Sequence, residues 1–280
     1  MFMLDVSHFQ GEINWAQIKA DGVPGVLAKV NQGDDPGLVD GRWTANRHNA
    51  LSMGIPIGGY HWAMPERNAL SSQMLFSRTL DQVPGMLPPF LDFEYNGNGN
   101  TSKPLNPGGK NPLQLHAWIH DFLADYGKPM GVYTGDWFWR PAVEPSAAAD
   151  TNIGSRPLWI SRYATDIGRI PRPWHAAALW QFTETGRITG IDGNVDEDKL
   201  IGDTIAQLLG YATTGVWPPV AGGGDEVTPA QMQEIKGWID HAVDEIRTET
   251  AEGNSIANVM HHLNDLQADV NQIKTTLNAS

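Results

Sequence analysis

The chain of 280 residues contains no cysteine. Disulfides, thiolate nucleophiles and cysteine metal sites are therefore excluded together, although the redox compartment is not fixed by this absence. Basic residues are scarce. Nineteen Lys and Arg stand against 32 Asp and Glu, for a formal net charge of −13 and a pI near 5.0. Such a balance argues against nucleic acid as a partner, because phosphate backbones are bound by Lys/Arg patches. No apolar run is long enough to span a bilayer, so membrane insertion is not expected. The opening "MFMLDVSHFQ" meets an acid at position 5 and lacks a basic flank with a long apolar core. It does not read as a secretory signal, and the expectation is synthesis in the cytoplasm with release by another route. Tryptophan, by contrast, is plentiful at 11 residues. Flat aromatics line carbohydrate sites, but for any single one core packing is the first expectation.

Strand-like and helix-like runs alternate along the first two thirds of the chain. "MFMLDVS", "GVLAKVN", "IPIGGYHWA", "FLDFE" and "MGVYTG" read as strands. "NWAQIKADG", "DGRWTANRHNALSMG", "NALSSQMLFSRTLDQV" and "LQLHAWIHDFLADYG" read as helices, several of them stopped by glycine. Beyond these, helices are hard to find, while "RPLWISRYA", "AAALWQFT" and "GNVDEDKL" look like strands. Eight strands with helices between the early ones predict a parallel sheet closed into an irregular TIM-like (β/α) barrel with about five helices. Residues 1–211 form this unit, and the Pro- and Gly-rich segment 212–227 reads as a linker. Residues 228–280 carry apolar positions at spacings of three and four, broken near Gly253. They predict a helical hairpin or coiled-coil-like module that makes homo-oligomers, with docking on the barrel as the alternative.

The stretch "PPFLDFEYNG" holds the chemistry. Residues i and i+2 of a strand share a face, so Asp92 and Glu94 project together with Phe93 opposite. By itself the pair could be a wetted strand surface or two acids aimed at one point. Asp5 ends the first strand and Asp196 lies on the last, so strands one, four and eight would each bring an acid to the C-terminal mouth of a barrel. Crowded carboxylates raise the pKa of at least one of them, which is useful when a proton must be held for delivery. In "GGYHWA", Tyr60 and Trp62 share one face and His61 takes the other.

The ordered string "DVSHFQG", "GGYHWA", "LDFE", "GVYTG", "LWISRYA", "LWQFT" and "RITGIDGNVD" resembles glycoside hydrolase family 25, the muramidases of bacteria, fungi and phages. The resemblance spans residues 3 to about 200. It implies a flattened eight-stranded barrel and hydrolysis of the β-1,4 bond between N-acetylmuramic acid and N-acetylglucosamine in bacterial peptidoglycan, without a cofactor. It casts Glu94 as general acid and Asp92 as its partner, the latter acting on the sugar or through the substrate's own acetamide. It also implies that Asp5 and Asp196 complete the acidic cluster. Tyr60 and Tyr133 would line the pocket, and Trp62, Tyr163 and Gln181 would touch substrate. Departures from the family pattern are Asp198 in place of Asn, Trp62 in place of Phe, and Phe9 where a polar residue is usual.

Blander assignments go to the remaining candidates. His8 and His61 are expected to pack or hydrogen-bond rather than hold a metal, since no H-E-x-x-H or comparable pairing is recognised. Asp192, Glu197 and Asp198 are expected to be ordinary solvated charges. The loop 96–109 has no P-loop spacing and reads as a connection near the mouth. The favoured function is an endolysin-type lysozyme; the alternative is a non-catalytic wall-binding or virion structural protein on the same barrel. The segment from 222 onward has ten acids, three bases and a single Trp, a poor composition for stacking on sugars.

Overall fold

The computed structural model describes residues 2–94, 109–201 and 205–217. All lie within the first of two compact units, Met1–Val220; the second is Ala221–Ser280. The expected C-terminal helical module, and the loop at 96–108, fall outside the described residues.

Eight strands close into a barrel in chain order. They are β1 (Phe2–Val6), β2 (Val26–Gln32), β3 (Ile57–Trp62), β4 (Phe90–Asp92), β5 (Gly131–Gly135), β6 (Leu158–Ser161), β7 (Leu179–Gly186) and β8 (Val195–Leu200). Each corresponds to a strand expected from sequence. The expected all-parallel sheet is corrected at β8, which runs antiparallel to both β7 and β1. The reason is length. The connection 187–194 is shorter than the dozen or more residues a parallel return requires, and it turns through Gly190 and Gly193 at positive φ.

The helix count also departs from expectation. Eight α-helices, rather than about five, occur among the described residues: α1 (Trp15–Ala20), α2 (Trp43–Ser52), α3 (Ala69–Leu80), α4 (Pro112–Tyr126), α5 (Asp136–Ala142), α6 (Glu144–Ala147), α7 (Thr151–Gly154) and α8 (Ile205–Thr214). The long ones announce themselves chemically. Helix α4 starts with Asn111 and Gln114 capping each other's backbone and Pro112 in the first turn, and it stops at Gly127 in the left-handed region. Helices α5 to α7 run two turns or fewer, with Pro141 inside α5 and Pro145 in the first turn of α6, and are too short to show a 3.6-residue period. Helix α8 runs to Thr214, so the segment expected to be linker from 212 begins as helix.

Two apolar layers result. The outer faces of the strands meet the helices around His61, Phe76, Phe93, Phe122 and Trp139, nearly all of it dry. Truncating one such aromatic costs about 3–5 kcal/mol. Inside the barrel, Met3, Leu27, Leu87, Phe90, Trp159 and Leu179 fill the end where the parallel strands begin. Leu208 of α8 packs into the same cluster, and the Tyr211 hydroxyl donates to the Met130 carbonyl at 3.0 Å. Phe90 lies flat against Gly131, where any Cβ would come within 2.3 Å of its ring. With that end plugged, the polar inward positions are collected at the other.

Candidate active site

Side-chain alternation decides what enters the mouth. On β1, Met3 lies in the inner cluster and Asp5 follows it on the same face. On β4, Phe90 and Asp92 share the inner face. The backbone stays paired through Phe93, whose N–H donates to the Tyr133 carbonyl at 2.9 Å, so the alternation carries on to Glu94. The reversed β8 still delivers Asp196 and Asp198 inward, because a strand's faces do not depend on its direction. Asp5 sits directly opposite Asp196 in the β1–β8 register, and Asp92 is flanked by Trp62 and Tyr133.

Gln181 of β7 joins these groups. Its amide nitrogen donates to Asp5 Oδ2 at 2.8 Å and to Asp196 Oδ2 at 3.3 Å. Its carbonyl oxygen accepts from the Tyr133 hydroxyl at 2.8 Å and the Tyr163 hydroxyl at 3.0 Å. Tyr60 is buried edge-on against Trp159, whereas Tyr163 is half exposed at the rim. All nine residues singled out from sequence thus gather at one end of the barrel.

The acids differ in their surroundings. Burial pushes Glu94 up to about 7; Lys29 pulls it back and Asp196 adds to the rise. Burial likewise raises Asp92 well above the carboxylate range, with Glu94 adding and Lys29 opposing. Asp5 is raised by burial and by its neighbours Asp198 and Asp196. Asp196 rises to about 6, by burial and then Glu184. Each shift favours the protonated form relative to an ordinary carboxylate. Asp92 is 5 % exposed and its Oδ1 has no hydrogen-bond partner within the protein, so a buried acceptor is left unpaired beside Glu94.

One group, Lys29, is absent from the sequence reading, and another, Asp198, departs from it. Lys29 points inward from β2, with its Nζ 4.0 Å above the Trp62 ring and 3.0 Å from Gln32 Oε1. Burial lowers its pKa, while Asp92, Asp40 and Glu94 raise it. A lysine in the middle of an otherwise apolar strand, in step with Leu27, was the available signal. Asp198, expected to be solvated, is fully buried and accepts from Trp159 Nε1 at 2.6 Å. The correction follows from parity, since Asp198 is two residues from Asp196 on the same strand. Asp192 is exposed as expected. The histidines beside the motifs are structural: His61 Nδ1 lies 2.9 Å from Asn31 Oδ1 and stacks on Phe122, and His8 Nδ1 lies 2.9 Å from Asp40.

The family described as glycosyl hydrolases family 25 matches residues 4–191. Lysozyme M1 of Streptomyces globisporus is 29% identical over 221 residues, which cover 75% of this chain and 70% of that protein. The crystal structure of a lysozyme from Streptomyces coelicolor superposes with a TM-score of 0.66 at 28% identity, covering 76% of this chain and 96% of that one. The catalytic domain of an endolysin from bacteriophage P40 of Listeria monocytogenes aligns with a TM-score of 0.56 at 25% identity, over 75% and 97%.

Proposed function

Given that the chain belongs to glycosyl hydrolase family 25, we propose that Glu94 is the general acid of a muramidase cutting the β-1,4 bond between N-acetylmuramic acid and N-acetylglucosamine. The chain is a glycoside hydrolase of the lysozyme type, and bacterial peptidoglycan is its substrate. The observation that carries the assignment is that Glu94 combines a raised pKa with a position less buried than those of Asp5 and Asp92. Glu94 holds a proton to about pH 7, at the lip of the cluster rather than beneath it. A group with that affinity is protonated before the reaction and can release its proton to a leaving glycosidic oxygen.

Lys29 favours the ionised form of Asp92, and Asp92, once ionised, supports the developing positive charge at the sugar, either directly or by orienting the substrate's acetamide. Its unpartnered Oδ1 is the atom available for this. Asp196, tied to Asp5 through Gln181, adds a negative charge near Glu94 that favours its protonated form. Lys29 opposes that effect and sets how far the rise goes. Tyr60, Tyr133 and Trp62 wall the pocket, and Tyr163 meets the sugar at the rim.

The biological setting proposed is that of an endolysin, made in a host cytoplasm and released to the wall. Its support is the likeness to a phage endolysin domain. Among the described residues, no helix is long and apolar enough to cross a membrane. Residues 228–280 are proposed to associate copies of the chain and so raise avidity for the wall. Cell-wall turbidity with wild type and Glu94→Gln, joined to analysis of the released sugars, is the decisive experiment. Reducing-end muramic acid from the wild type supports the assignment; reducing-end glucosamine, or undiminished lysis by the variant, removes it.

A further inference from the structure

Away from the mouth, three ligand-type side chains converge where α4 meets the start of α7. His116 and His120 are spaced i, i+4, so both rings lie on one face of α4. The pairing was legible in "HAWIH" and was passed over. Asp150, the N-cap of α7, faces them. Its Oδ2 lies 2.6 Å from His116 Nε2 and also contacts His120 Nε2. The three donor atoms are all within 4.8 Å of one another.

We infer that His116, His120 and Asp150 form a binding site for a divalent transition-metal ion, with zinc as the reference ligand, clamping α4 to α7. Two imidazole nitrogens and one carboxylate oxygen are a donor set suited to zinc, cobalt and nickel. The carboxylate is already oriented. Its Oδ1 accepts the backbone N–H groups of Asn152 at 2.9 Å and Ile153 at 3.0 Å, which leaves Oδ2 alone to face the histidines. Ligands about 2.0–2.1 Å from a tetrahedral ion stand roughly 3.4 Å apart. A side-chain adjustment of under about 1 Å therefore opens the present 2.6 Å contact to admit the ion. Entry is from solvent, because the His120 side chain is 42% exposed while Asp150 is 8%. Remaining coordination positions on that side would be filled by water. The site lies on the outer helices, among none of the residues assigned to the reaction, so its effect is on stability.

Titration calorimetry of the full chain with zinc chloride, after removal of metal with a chelator, tests this. The wild type should take up one ion per chain at this site and melt higher in its presence. Asp150→Asn keeps a side-chain oxygen to cap α7 and should bind zinc roughly a hundredfold more weakly; His116→Gln with His120→Gln should do the same. Unchanged affinity in both variants would place any bound zinc elsewhere and overturn the inference. Failure of the wild type to bind would overturn it without recourse to variants. Wall lysis by the chelated protein should match that of untreated protein.

Discussion

Gln181 and Asp5, 176 positions apart in sequence, are joined by a 2.8 Å hydrogen bond from the Gln181 amide nitrogen to Asp5 Oδ2. Because the Gln181 carbonyl is occupied by two tyrosine hydroxyls, the amide cannot flip without losing four contacts. The site's acids are therefore held by a neutral donor. Gln181→Glu replaces that donor with an acceptor beside Asp5 and Asp196. It should destabilise the fold by about 1–3 kcal/mol at pH 8 and by less at pH 5, where the added carboxyl can be protonated. Thermal melts at the two pH values check this.

Glu94→Gln should reduce wall lysis by about two to four orders of magnitude. In the wild type, lysis should fall as pH rises through about 7, where Glu94 loses its proton. A pH profile of kcat/KM on a soluble glycan is the measurement. An alkaline limb that persists unchanged in the residual activity of the variant would belong to another group.

The same carboxyl has a stability signature of the same sense. Its folded pKa, about 7, exceeds its ordinary value of 4.5. The protonated form is thus favoured by folding, and the stability that Glu94 contributes is present below pH 4.5 and lost as pH rises through 7. Glu94→Gln, which cannot ionise, should melt higher than wild type at pH 8 and at the same temperature near pH 4. Equal melting at both would show that burial does not hold the proton.

Lys29→Met keeps the stem that packs along Trp62 and removes the charge. Lys29 lowers the pKa values of both Asp92 and Glu94. Its loss should move the alkaline limb of the lysis profile to higher pH, which paired pH–rate curves will read directly.

Trp159→Phe leaves Asp198 Oδ1 without its indole donor, and Asp198 Oδ2 already has no partner within the protein. The cost should be about 1–3 kcal/mol in denaturant unfolding. Burial already raises the Asp198 pKa and the indole opposes that rise, so the cost should be smaller at pH 5 than at pH 8.

Much of this arrangement could be read in the residues. Strand alternation placed Asp92 with Glu94 and Tyr60 with Trp62, because period two is a purely local property. Capping residues marked the starts of α1, α3 and α4, and glycine the ends of α1, α2 and α4, for the same reason. What local pattern could not supply was the direction of β8, which depends on the span of 187–194. Nor could it supply the fate of a charge on a strand whose two faces are both covered. On that account Lys29 draws no notice and Asp198 is expected to be solvated: charged residues are expected outside, and only barrel closure turns their face inward. Proline broke up 136–154 finely enough to hide three helices. His116 and His120 are visible as a spacing, but Asp150 joins them only through the packing of α4 against α6, which Asp150 closely follows in the chain.

The plug formed by Leu208 and Tyr211 changes what counts as the minimal folding unit. The family match stops at residue 191, before β8 and α8. A fragment cut there would lose one stave of the barrel and leave Met3, Leu27 and Phe90 open to water at its base. The part of the chain that can stand alone is longer than the part that reveals its kinship.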